Sequence, residues 1–228
     1  PRVALMASFA PSFYFETLYP LQDAVLQLVN ALDTGFYLSG GTASSRGYLQ
    51  HRFSDDLDLF VNDDNGFALW ASRVIEALAH RSEWTVAVTL RESRFVRLTV
   101  TQAGTALKIE MINDVPAHTG EVWLHPQLGR LDSAENILAN KVTALVDRTD
   151  PKDFADIWGF CSKMQLPLGS AISNADSKAA GIFPIEVARV LDSASHDDWE
   201  AIKWISPPDP ADFVRDLQAL AESLILNP

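Results

Sequence analysis

The chain has 228 residues, of which 47% are hydrophobic, and carries a formal net charge of −12. That length holds one large domain or two modest ones, and the acidic balance argues against a general nucleic-acid-binding surface, which would rest on Lys and Arg neutralising phosphates. No apolar run approaches the roughly 20 residues that cross a bilayer, and no charged-then-apolar leader opens the sequence, so a cytoplasmic location without a membrane partner is expected. Cys161 is the single cysteine. An intrachain disulfide and a cysteine-based zinc site are therefore excluded, and beside Trp158 and Phe160 the thiol reads as a small buried hydrophobe.

In chain order, Leu18, Leu21, Val25, Leu28 and Leu32 recur at helical spacing and predict an amphipathic helix over 14–33, with Pro20 marking its start. The stretch 36–60, FYLSGGTASSRGYLQHRFSDDLDLF, predicts strand, glycine turn, short helix beginning at Thr42, basic turn and second strand. A turn cluster at 62–66 precedes a helix over 67–80. Three β-rich runs follow, 84–90, 95–101 and 106–112, whose short connections favour antiparallel hairpins. From Ser133 onward the spacing is helical, over 134–148, 151–164, 184–194 and 210–225. The expected fold is α+β up to about 131 and all-α over 132–228, with the boundary near Gly129 to Asp132.

The candidate chemistry begins in the second strand. Side chains alternate between faces, so Asp56 and Asp58 point one way while Leu57 and Leu59 enter the core. Two carboxylates at that spacing suit a hard divalent cation such as Mg²⁺, which takes one or two carboxylates and completes its shell with water and phosphate oxygens. The preceding Gly40-Gly41-Thr42 turn is placed to receive those phosphates. On the last of the three β-rich runs, Lys108 and Glu110 share a face. Glu110 reads either as a third metal-site carboxylate or as half of a Lys108-Glu110 pair at a sheet edge.

The helix over 134–148 sets Lys141 and Arg148 along one stripe, suited to a triphosphate or equally to pairing with nearby acids. Asp150 and Pro151 make a strong helix start, with Asp153 in the first turn, whereas Asp156, one turn further, has no capping role. Ser54 reads as a pocket or a turn hydroxyl. Two arginine groups read as candidate basic patches, Arg46 with His51 and Arg52, and Arg91 with Arg94 and Arg97. The five histidines show no metal-ligand spacing, and no P-loop, Rossmann or Gly-x-Ser-x-Gly signature is present.

Taken together, Leu-Ser-Gly-Gly-Thr-Ala, then His-Arg-Phe-Ser-Asp-Asp-Leu-Asp-Leu-Phe, then Lys108-Ile109-Glu110, then Asn140-Lys141 through Ala144-Leu145, Arg148 and Lys152-Asp153-x-x-Asp156 resemble the AbiEii/AbiGii toxin-type nucleotidyltransferases of the DNA polymerase β-like superfamily. Glu110 stands where that family often has Asp, and Lys152 where Arg is usual. The resemblance implies a nucleotidyltransferase-type mixed sheet flanked by helices over 1–131. It further implies transfer of a nucleoside monophosphate from an NTP, with Mg²⁺ (or Mn²⁺), onto tRNA or protein, and a cognate antitoxin as partner. By the same resemblance, Asp56, Asp58 and Glu110 hold metal. Lys141 and Asp156 join them in catalysis, while Gly40, Gly41, Thr42, Ser54, Lys108, Arg148 and Asp153 bind nucleotide. Two alternatives remain on the sequence alone: a nucleotide-binding module without turnover, and a small-molecule nucleotidyltransferase of the antibiotic-modifying kind.

Overall fold

The computed structural model describes residues 10–226. Its first helix begins earlier than the sequence pattern predicts. Helix α1 (Pro11–Phe13) passes through a π-helical turn over Tyr14–Leu18 into α2 (Tyr19–Ala31), so Pro20 lies inside a continuous helical segment. The Tyr19 amide donates to the Tyr14 carbonyl five residues back. This wide turn makes room for the proline ring, which otherwise clashes with the carbonyl of the preceding turn.

Strand β1 (Tyr37–Ser39) ends in α3 (Gly40–Thr42), which continues as a π-helical stretch over Ala43–Leu49, so the small helix begins two residues before Thr42. Strand β2 (Leu57–Asn62) and helix α4 (Phe67–Ala79) follow, then β3 (Thr85–Arg91), β4 (Phe95–Gln102) and β5 (Thr105–Asp114). Two short strands that the sequence pattern does not mark, β6 (Trp123–His125) and β7 (Gly129–Leu131), complete a seven-stranded sheet in the order β3-β4-β5-β2-β1-β7-β6. Pairing is antiparallel between β1 and β2 but parallel between β2 and β5 and between β1 and β7, so the sheet is mixed. Strand β5 therefore lies inside the sheet, between β4 and β2, and Glu110 is not at an edge.

Alternation along β2 and β5 divides the sheet into two faces. Leu57, Leu59, Val61, Leu107, Ile109 and Met111 are buried in an apolar core together with residues of α2 and α4, whereas Asp58, Phe60 and Glu110 stand on the other face and are partly exposed. The C-terminal helices are α5 (Ala134–Arg148), α6 (Pro151–Trp158) running on through a π-helical Gly159–Lys163, α7 (Leu168–Asp176), α8 (Pro184–Asp192), α9 (His196–Ala201) and α10 (Pro210–Leu226). Of these, α7 and α9 were not legible as helical periods. Cys161, read from the sequence as a buried hydrophobe, is only partly buried against the core, and desolvation pushes its thiol up to about 12.

The junction between β7 and α5 is fixed by Asp132. Its fully buried carboxylate accepts from Ser39 Oγ at 2.6 Å, Asn136 Nδ2 at 2.9 Å and the Ser133 amide at 2.8 Å, with His118 Nε2 at 2.9 Å. Ser133 caps α5 by accepting from the Asn136 amide. One carboxylate thus holds the end of β1 against the start of α5. Asp132→Ala leaves buried donors on both elements unpaired, and the expected loss is about 3 kcal/mol of unfolding free energy in a urea titration.

Candidate active site

The site starts where β1 ends. Gly40 turns the chain at φ +65°, and a Cβ there would lie 2.0 Å from Asp58 Oδ2. Only glycine fits, because an L side chain would be strained by the left-handed backbone and would collide with the carboxylate. A Cβ on Gly41 would stand 3.0 Å from both Arg52 Nη2 and Ser54 Oγ, so the whole turn is pressed against the loop that leads into β2. Thr42 completes this brace. Its hydroxyl donates to the Asp56 carbonyl and shares a 3.0 Å hydrogen bond with Ser54 Oγ, and both side chains are buried.

The carboxylates come together as the strand register predicts. Asp58 on β2 pairs in register with Glu110 on β5. The Lys108 ammonium lies 2.9 Å from Asp56 Oδ2 and 3.3 Å from Glu110 Oε1, and Arg97 Nε adds a 2.7 Å contact to the same Glu110 oxygen. Glu110 therefore makes the Lys108 pair, but inside the sheet and as part of an acidic group. Asp58 is different. Among the described residues its carboxylate has no hydrogen-bond or ion-pair partner, and burial together with the neighbouring Glu110 charge raises it to about 6. Burial opposes the charge on Lys108 as well, but the hydrogen bond to Asp56 and the surrounding acids win and raise its ammonium.

Opposite the acids lies a buried ionic cluster. Asp156, with no exposed surface, receives Arg52 Nε at 2.8 Å and Nη2 at 2.7 Å, Lys141 Nζ at 2.7 Å, and His51 Nε2 at 3.0 Å. Burial alone would raise its pKa, yet Arg52 and Lys141 hold it well below the usual carboxylate range. Asp153, also buried, takes Lys141 Nζ at 2.9 Å and Arg148 Nε at 2.9 Å. Three permanent cations meet two carboxylates here, leaving one positive charge in excess beside the unpaired Asp58, which Lys141 draws back toward ionisation. Arg148 alone of the three keeps its side chain about half exposed.

The candidate basic patch around residue 52 is thus corrected: His51 and Arg52 point inward to Asp156, and Arg46 pairs with Asp23 and stacks over Tyr19. The second group is likewise spoken for, with Arg91 on Ser72, Arg94 on Asp63 and Arg97 on Glu110. Sequence reasoning missed a further set around Asp55, which accepts from the Tyr14 hydroxyl and lies 3.2 Å from Lys203 Nζ. No local signal reveals that set, since Tyr14 and Lys203 come from opposite ends of the chain. For Arg52 a signal existed in Asp156, an acid inside a helix without a capping role.

The residues present fit a divalent cation. Asp58 offers an uncompensated and partly exposed carboxylate, and Asp56 and Glu110 stand close enough to share one ammonium. Their oxygens are spaced more widely than those of His196, Asp197 and Glu200, the trio whose ligand atoms converge within 4.8 Å among the described residues. That trio is exposed on α9.

The family described as the nucleotidyl transferase AbiEii toxin of type IV toxin-antitoxin systems matches residues 26–218. The chain belongs to this family. Its fold is that of solved nucleotidyltransferase-type proteins. MenT4, a nucleotidyltransferase toxin from Mycobacterium tuberculosis, superposes with a TM-score of 0.67 at 18% identity, covering 96% of this chain and 86% of that one. A candidate nucleotidyltransferase from Helicobacter pylori gives 0.65 at 18% identity, covering 95% and 96%. JHP933, also from Helicobacter pylori, gives 0.59 at 20% identity, covering 95% and 93%. Among curated protein sequences none matches. The chain is accordingly a nucleotidyltransferase of the AbiEii toxin family, and among its described residues no helix is long and apolar enough to cross a membrane.

Two measurements check this geometry. Gly40→Ala should lose at least about 1–2 kcal/mol of stability, from the left-handed backbone alone, and lose activity with it, because the new methyl displaces Asp58; a urea titration and a transfer assay read both. Asp156→Asn leaves the buried Arg52 without its counter-ion and Lys141 with Asp153 alone, and should cost about 3–5 kcal/mol at neutral pH. Asp156 is depressed in the folded state, so its contribution is complete above the unfolded value of about 3.9 and drains away as pH falls toward the folded one. The gap between wild type and variant in urea midpoint should therefore close below about pH 4.

Proposed function

We infer that the chain transfers a nucleoside monophosphate from an NTP to an acceptor, with Asp56, Asp58 and Glu110 as the metal-holding acids. The observation that carries this reading is the unpaired Asp58 carboxylate, held against the Gly40 turn and flanked by Asp56, Glu110 and the excess charge of the Lys141 cluster. A divalent cation, Mg²⁺ or Mn²⁺, would supply charge neutralisation on the phosphates there.

The chain's own groups do the rest. Backbone amides at Gly40 and Gly41 bind the β- and γ-phosphates, while the Thr42 and Ser54 hydroxyls hold that turn against the Asp56 loop. Lys108, 2.9 Å from Asp56, and the half-exposed Arg148 meet phosphate oxygens. Asp153 and Asp156 do not reach the nucleotide; they orient Lys141 and Arg148. Glu110 takes the proton from the acceptor hydroxyl as its oxygen bonds to the α-phosphorus, and the bond to the β-phosphate oxygen breaks to release pyrophosphate.

The acceptor is a tRNA or a protein. The family's toxin-antitoxin assignment supports a cognate antitoxin as the protein partner.

Each of the four labelled NTPs, incubated with total RNA and with total protein in Mg²⁺, tests the reading. One of them should label an acceptor, and either EDTA or Asp58→Ala should cut the label on the order of a hundredfold or more. Undiminished labelling by Asp58→Ala, or no label from any NTP, overturns it.

A further inference from the structure

A cavity of about 500 Å³ opens between β2, the end of β5, α5 and the segment that joins α7 to α8. Its walls are Phe60 on β2, Asp114 at the end of β5, Asn140 and Ala144 on α5, and Lys178 and Ile182 on the segment between α7 and α8. Phe60 follows Asp58 by two residues on the same face of β2, about 6.6 Å along the strand. Asn140 precedes Lys141 on α5. The cavity thus begins one strand repeat beyond the catalytic carboxylate.

The chemistry of its walls is specific. Phe60 offers an aromatic ring, with Ala144 and Ile182 as apolar neighbours. The Lys178 ammonium is nearly buried and is held by the Ala117 carbonyl at 2.8 Å, with Asp114 Oδ2 at 3.5 Å. Asn140 Nδ2 is buried and has no hydrogen-bond partner among the described residues. A buried amide donor left without an acceptor costs free energy, and such donors are few in a folded protein. A volume of this size, with apolar side chains interleaved with polar ones, suits a flat heterocycle.

Resting on the nucleotidyl-transfer reading above, we propose that this cavity holds the nucleobase of the NTP, with Asn140 Nδ2 donating to a base acceptor and Phe60 packing against the ring. The triphosphate then lies over Asp58 and the glycine turn while the base points down β2 toward Asp114 and Lys178. Asn140 is a specificity-determining contact on the base and takes no part in bond making.

The test separates the two halves of the ligand. Asn140→Leu replaces the unpartnered amide by a side chain of similar size, so its urea midpoint should not fall. Calorimetry in Mg²⁺ should show affinity for the preferred NTP weakened roughly tenfold, as expected for one lost hydrogen bond, with affinity for inorganic tripolyphosphate unchanged. Unchanged NTP affinity in Asn140→Leu overturns the proposal and leaves the transfer reading standing, whereas a wild-type protein that binds no NTP overturns that reading itself. A measurement on the wild type needs no variant: an azido-base NTP, photo-crosslinked and mapped by peptide mass spectrometry, should label the segment 178–182 or Phe60. Saturable label elsewhere overturns the proposal.

Discussion

The buried carboxylate of Asp156 is the interaction on which the site depends. Desolvation makes an isolated charge in that position untenable. Arg52, Lys141 and His51 converge on it from the loop ahead of β2 and from α5, and this convergence fixes α6 against both. Backbone pairing reinforces the same junction, where the Phe53 amide donates to the Lys203 carbonyl and the Ile205 amide to the His51 carbonyl. The C-terminal segment is thereby stitched to the loop that delivers Asp56.

The second constraint is the contact between Gly40 and Asp58. Parallel pairing of β2 and β5 sets Asp58 beside Glu110, and antiparallel pairing of β1 and β2 sets Ser39 beside Asp58, so the glycine turn must begin at the carboxylate itself. Packing then leaves Asp58 half-stripped of water and unpaired. Stability is given up at this position, as is common where a charged group is set aside for function. Asp132, bonded to Ser39 and Asn136, keeps the other end of the turn from shifting.

An overall charge of −12 and phosphate chemistry are compatible because the positive charge is local. Lys141, Arg148 and Arg52 exceed their two carboxylate partners by one, and Lys108 is added on the sheet side. Ion pairs restrict where these cations point, so they are aimed before a ligand arrives and lose little freedom on meeting it. Membership of the AbiEii family accounts for the order of the motifs along the chain, and the cluster accounts for their spacing in space.

Much of this was readable from local pattern. Period-two alternation gave the inward leucines of β2 and β5, capping chemistry gave Asp150 and Pro151 at the start of α6, and Asp56, Asp58, Glu110, Lys141 and Arg148 stand out as residue types that phosphate chemistry uses. The short strands β6 and β7 and the helix α9 were hidden because segments of three to six residues show too little period to rise above noise. Partners were hidden for a different reason. Whether Arg52 meets solvent or Asp156, 104 residues away, and whether Thr42 and Ser54 face a ligand or each other, depend on long-range packing that no local spacing encodes. The sequence by itself determined the elements and the chemical inventory, since both follow from neighbours along the chain. Tertiary structure alone decided which charges are paired and which one is left free, because burial and the distance between charges exist only once the chain has folded.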